Sequence, residues 1–204
     1  MKSLLNFILF FSLTFSCTVY SKDDGSQLTS FAGIKLGKAT LLQVAQKFGE
    51  TEVISSGDAG EYEVAMCYKT KYGFIHFLSG EMGGGVDLIG FGASKNQIYK
   101  TCTKPHDPKS LLKLPLAGIN IGMTKAEFSK ITNKRVQWKD NVGRIFFDSK
   151  RLMSKKEINS LKPYLEQGTE FGKIQNYFDV SISLVATFQG KFLTSFQVWK
   201  VESS

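Results

Sequence analysis

Residues 116–128 read LAGINIGMTKAEF, and residues 32–44 read AGIKLGKATLLQV, so one short pattern occurs twice in a chain of 204 residues. In each copy a glycine, Gly37 or Gly122, is followed within a few residues by a threonine, and the residue three after that threonine is Gln43 or Glu127. Thr-x-x-Gln/Glu is the capping box, in which the hydroxyl and the longer polar side chain satisfy each other's free backbone amides at a helix start. Each copy therefore predicts a short helix. Val44 with Phe48, and Phe128 with Ile131, give those helices an inward apolar stripe, and Met123 with Phe128 stands at the spacing of a hydrophobic staple. Glycine at 37 and 122 is explained by a backbone turn that a side chain would obstruct, with no ligand required.

Beyond each helix the apolar period changes from helical to alternating. EYEVAMCYK (61–69), GFIHFLS (73–79) and VDLIGFG (86–92) read as strands in the first half, joined by turns at 70–72 and 80–85. In the second half DVSISLVATF (179–188) places Val180, Ile182, Leu184, Ala186 and Phe188 on one face, and Gln189-Gly190-Lys191 turns the chain into FLTSFQVWKV (192–201). A strand at 143–148 and a helix starting at Ser154, with Ser154-Lys155-Lys156-Glu157 as a third capping box, come before it. TKPHDPKSLLKLP (103–115) holds three of the four prolines and reads as a linker. The expected fold is α+β, two tandem units of a helix followed by an antiparallel meander: a signal segment at 1–21, a first unit at 22–103, a linker at 104–114 and a second unit at 115–204.

The signal segment follows from Lys2, the short apolar run from Leu4 to Phe15, and Val19-Tyr20-Ser21 before the polar Lys22-Asp23-Asp24-Gly25. The run is shorter than the ~20 residues of a membrane span, so a periplasmic or secreted protein is expected. The alternative is an outer-membrane lipoprotein, lipidated at Cys17 within Leu13-Thr14-Phe15-Ser16-Cys17; membrane association is expected only in that case. Beyond this region only Cys67 and Cys102 remain, and in an oxidising compartment two cysteines most simply pair with each other. The chain has 26 Lys plus Arg against 18 Asp plus Glu, a formal charge of +8. For an exported chain that excess points away from nucleic acid and toward acidic proteins or other anionic envelope components.

The pattern I-x-[LI]-G, one or two residues, then T-x-x-[QE]-[VF], followed by a helix and a strand meander, resembles the repeat of the β-lactamase-inhibitor-protein family. It is also similar to the single unit of the BamE type of outer-membrane lipoprotein, a component of the barrel-assembly machinery. The resemblance covers the start of each half, with Lys38-Ala39 in the first where one residue is usual and an inserted stretch around 150–175 in the second. It implies one curved sheet with helices on one face, and a binding or inhibitory role in the envelope, an immunity protein included, or the assembly role of the lipoprotein.

No catalytic set is expected. Ser110-Leu111-Leu112-Lys113 matches S-x-x-K, but neither K-T-G nor S-D-N follows. Gly83-Gly84-Gly85 lacks the Gly-Lys-Ser/Thr of a phosphate cradle and reads as a hairpin loop. His76 alternates with Phe74 and Leu78 as a half-buried, satisfied strand residue, and Glu61, Glu63 and Glu81 read as solvated strand-edge carboxylates. No cofactor and no metal are expected. A binding protein instead shows large side chains on a face its core does not use. If the Val180–Phe188 face packs under the helices with Phe196 and Val198, then Leu193, Ser195, Gln197 and Trp199 point the other way. Trp199 and Lys200, extended by Tyr62, Tyr68 and Tyr72, are the candidate partner-binding residues for an acidic envelope protein.

Overall fold

The computed structural model describes residues 25–58, 61–107, 116–133, 135–165 and 176–203. The expected signal segment, Cys17, Lys22, the Ser110–Lys113 match and most of the linker lie outside the described residues.

The repeated pattern begins as a hairpin. In the first copy β1 (Ser30–Phe31) pairs with β2 (Ile34–Lys35) through Ala32-Gly33, and in the second Leu116 bridges Ile119 through Ala117-Gly118. Ala32 and Ala117 both stand at φ 48°, followed by Gly33 at 76° and Gly118 at 88°. Two successive positive φ values make the tight turn whose twist suits antiparallel strands. Alanine tolerates that region poorly, so the glycine beside it carries the turn. Phe31, Ile34 and Leu36 are buried, as are Leu116 and Ile119.

Both capping boxes form. The Thr40 hydroxyl accepts from the Gln43 amide while Gln43 Oε1 accepts from Thr40 N–H at 3.0 Å, starting α1 (Leu41–Phe48). Thr124 and Glu127 do the same for α2 (Lys125–Ile131), with the Thr124 amide 2.7 Å from Glu127 Oε2. Hydrogen bonds from Thr124 hold the Glu127 carboxyl below its usual pKa. Thr40→Ala and Thr124→Ala are each expected to lower stability by about 1 kcal/mol, measurable by urea unfolding; losses of only a few tenths would mean that tertiary packing alone fixes these helix starts.

The main sheet has eight antiparallel strands in the order β3-β4-β5-β6-β10-β9-β8-β7. They are β3 (Val53–Ser56), β4 (Glu63–Thr70), β5 (Gly73–Gly80), β6 (Gly90–Ser94), β7 (Gln137–Lys139), β8 (Val142–Leu152), β9 (Tyr177–Gln189) and β10 (Phe192–Ser203). A third helix, α3 (Lys155–Leu165), follows β8 and starts at the expected Ser154–Glu157 box. The chain is α+β, with few helices against a mostly antiparallel sheet. β6 starts later than expected because residues 86–88 instead bond back to the loop before α1, Leu41 N–H to Val86 O and Leu88 N–H to Ala39 O.

One face of the sheet makes the core with α1, α2 and the two hairpins. Val180, Ile182, Leu184, Ala186 and Phe188 are buried there as their alternation requires, with Phe196 and Val198 from β10. In the first half Phe77 stacks on Phe48 with ring centroids 5.4 Å apart and meets Phe31 and Tyr68, while Phe128 and Trp138 meet Phe188 in the second. Leu193 differs from expectation, being buried in this core. A bulge between Leu193 and Ser195 shifts the pairing with β9, and one inserted residue reverses the facing of everything before it.

Candidate partner-binding face

The face of the sheet turned away from the helices differs between its halves. Over β4 and β5 it is covered by residues 95–106, which leave the end of β6 and cross to the outer edge of β4. Tyr99 lies over His76 with ring centroids 5.5 Å apart, and its hydroxyl donates to Glu63 Oε1 at 2.8 Å. Burial, reinforced by Glu63, pushes the Tyr99 pKa well above its ordinary value. Cys102 bonds to Cys67 as expected. Thr103 then pairs with β4 beyond the end of β3, Lys69 N–H donating to Thr103 O at 2.8 Å and Thr103 N–H to Cys67 O at 3.1 Å. Thr51 Oγ1 also donates to Thr103 Oγ1, and the His106 amide donates to Phe48 O.

His76 departs from its expected half-buried, satisfied state. It is fully buried beneath this strap, and neither ring nitrogen finds a hydrogen-bond partner among the described residues. It faces Gly92, where an added Cβ would stand 2.6 Å from His76 Nε2 and 2.4 Å from Phe196 O, so only glycine fits. Burial lowers the imidazole pKa to about 4, which keeps the ring neutral at ordinary pH. Glu63 is likewise a strap contact rather than a free edge carboxylate.

Over β10, β9 and β8 the same face carries large exposed side chains. Pairing places Gly90, Trp199, Ser183 and Phe146 in one row across four strands. Trp199 is half-buried because its ring leans over Gly90, whose added Cβ would come within 2.7 Å of it. Phe146, across the small Ser183, is 54% exposed. The neighbouring row runs Gly92, Gln197, Val185, Arg144, and the one on the other side adds Val201, Ser181 and Asp148. Ser181 Oγ donates to Asp148 Oδ1 at 2.7 Å, and Lys150 Nζ lies 3.9 Å from the Tyr177 ring centre. The face thus sets an aromatic pair, with the small Ser183 between its members, beside a half-buried arginine, residue types that are enriched at interface anchors.

The other candidates are dispersed. Lys200 follows Trp199 and so points to the opposite face of the sheet, where its ammonium meets the Glu202 carboxylate beside Gly37. Tyr68 belongs to the core: its ring is fully buried, its hydroxyl donates to Gly49 O at 2.7 Å, and burial pushes its pKa up to about 12. Tyr62 and Tyr72 are 41% and 55% exposed. Tyr72 sits under Lys71 in the β4–β5 turn, at the far end of β5 from Leu78, the residue that pairs with Gly90. Phe146 was missed, although its alternation with Arg144 and Asp148 in the sequence assigns it to this face.

On the helix side, Arg151 forks onto Glu157 at 2.9 and 3.1 Å and reaches Glu202 at 2.6 Å, tying α3 to β8 and β10. The hydrogen bonds from Arg151 lower the Glu157 pKa to about 2. No group of three or more His, Cys, Asp or Glu able to hold a metal occurs among the described residues. No helix among them is long and apolar enough to cross a membrane. No protein-family model, curated protein or solved structure matches this chain.

Proposed function

We propose that this protein is a non-enzymatic binding protein of the bacterial envelope, of inhibitor or immunity type, which holds a protein partner on the open face of β10, β9 and β8. The observation that carries the reading is the row of Trp199, Ser183 and Phe146, an aromatic surface that the core does not use. The excess of basic over acidic residues favours an acidic partner.

The architecture behind the proposal is a tandem pair of helix-plus-meander units joined at β6 and β10. Three matched backbone contacts support it. Gly37 N–H donates to Leu88 O as Gly122 N–H does to Leu193 O; Leu88 N–H donates to Ala39 O as Leu193 N–H does to Met123 O; and Leu41 N–H reaches Val86 O as Lys125 N–H reaches Lys191 O. The sheet order, with two four-strand meanders meeting at their last strands, reads the same from either edge.

The test is capture from envelope extract with wild-type protein and with Trp199→Ala and Phe146→Ala, followed by mass spectrometry and thermal melts. Each substitution is expected to weaken retention of one stoichiometric protein by about 2 kcal/mol while the fold persists. Unchanged retention, or melting that collapses with Trp199→Ala, sinks the reading. Recovery of barrel-assembly components, with intact mass showing acyl chains on Cys17, would transfer the protein to the envelope-assembly class.

A further inference from the structure

The edge of the sheet at β8 is only partly covered. β7 pairs with Val142, Gly143 and Arg144, and β8 then runs on to Leu152 with no further strand beside it among the described residues. Which residues aim their backbone outward follows from the bonds at either end of β8. Asn141 O accepts from Phe188 N–H, and Met153 N–H donates to Asn176 O, continuing the pairing of β8 with β9. Odd-numbered residues therefore bond toward β9, and the amides and carbonyls of Phe146, Asp148, Lys150 and Leu152 point away from the sheet. The Leu152 carbonyl accepts from the Arg151 guanidinium at 3.2 Å. An edge of this length invites another strand unless its sequence discourages one.

This sequence suits one strand in particular, its own. We propose that β8 pairs antiparallel with β8 of a second copy about a two-fold axis at Ser149, joining two eight-stranded sheets into one. Antiparallel self-pairing requires outward residues to meet outward residues, and charge selects among the registers that satisfy this. Centring on Asp148 or Lys150 would set like charges face to face. Centring on Ser149 sets Asp148 against Lys150 of the copy twice, and Phe146 against Leu152 of the copy twice. These last two are exposed apolar side chains on the open face, 54% and 73% exposed. Opposite charges and apolar pairs directly across a ladder are the combinations that stabilise it. β7 stops at the residue pairing with Arg144, and no described strand pairs with β8 beyond it. The contact is isologous and closes on itself, giving a dimer and no fibre. Phe146 is shared with the surface proposed for the protein partner, whereas Trp199, two strands away on β10, belongs to that surface alone.

Sedimentation velocity over a wide concentration range is the primary measurement, with Asp148→Lys, Lys150→Asp and the double swap as variants. A reversible dimer is expected. Each single change should weaken it by about tenfold through two like-charged pairs, and the swap should restore it by reversing both pairs. Circular dichroism checks that each variant folds, both positions being exposed on the strand. Ser149→Cys supplies a second readout. The two Ser149 residues would face each other as a non-hydrogen-bonded pair with Cα atoms about 4.5 Å apart, within disulfide range, so mild oxidation should give a covalent dimer. A protein that stays monomeric throughout overturns the proposal, and so does a dimer that ignores the single charge changes or is not rescued by the swap. Trp199→Ala should leave dimerisation unchanged, which separates this result from the fate of the partner-binding reading.

Discussion

Cys67→Ala with Cys102→Ala is expected to lower the unfolding free energy by about 3 to 4 kcal/mol, from the loop entropy that a 35-residue cross-link removes from the unfolded chain. For a chain of this size that is a fall in Tm of about 10 °C. The loss should not be spread evenly. What the bond restrains is the strap of residues 95–106, whose other ties include the Tyr99–Glu63 hydrogen bond, two backbone bonds to β4, the Thr51–Thr103 contact, and the backbone bonds of Lys95 to Thr194 and of His106 to Phe48 at its two ends. The Thr103 and Lys69 amides should therefore exchange faster than those of β9 and β10, whose pairing does not involve the strap. Calorimetry combined with hydrogen exchange checks both halves of the expectation. Uniform acceleration across the whole sheet would mean that the bridge is a global staple and that the strap has no separate opening.

What the sequence disclosed was mostly local. Thr40 with Gln43, Thr124 with Glu127 and Ser154 with Glu157 are three residues apart, and each box closes within its own turn whatever the rest of the fold does. The β9–β10 hairpin was legible because Gly190 interrupts two long alternating runs, and the disulfide because only two cysteines remained to pair. Tyr68 and Lys200 were misplaced although the same alternation assigns them: Tyr68 shares a strand face with Val64 and Met66, and Lys200 cannot face the same way as Trp199. Leu193 was hidden by a bulge, which no alternation reveals. β3 and β7 were missed because strands of four and three residues are too short to show a period. The strap over His76 and the tie of Arg151 to Glu202 join residues far apart in the chain, and composition and spacing carry no trace of them. The candidate face was thus half legible: Trp199 was found, and Phe146 became its neighbour only once β8 and β10 were known to flank β9.

Acid should destabilise this protein through His76, and the effect should have a distinct pH window. In the unfolded chain the imidazole titrates near its ordinary 6.5, whereas in the fold burial lowers its pKa to about 4. Above 6.5 the ring is neutral in both states and contributes no pH dependence. Between 6.5 and 4 the unfolded chain binds a proton that the folded protein refuses, so stability falls as the pH falls, by about 1.4 kcal/mol per unit and about 3 kcal/mol in all. Below 4 both states are protonated and this loss levels off. The surroundings account for the refusal: the strap contributes the Tyr99 ring, β6 contributes Gly92 with no side chain, and β4 contributes the disulfide beside Ala65. Glu63, on the same face of β4 as the Cys67 that pairs with His76, is already engaged by the Tyr99 hydroxyl. The Glu157 carboxyl, lowered to about 2 by Arg151, loses its contribution between 4.5 and 2, a lower window that overlaps this one only at its edge. Urea unfolding of the wild type and of His76→Leu across pH 7 to 4 isolates the histidine, since the cavity cost of the substitution does not change with pH. The variant should show a much flatter profile, and an imidazole resonance in the wild type should titrate near 4. Equal slopes in the two proteins, or a His76 that titrates near 6.5, would refute the assignment of a neutral histidine sealed beneath the strap.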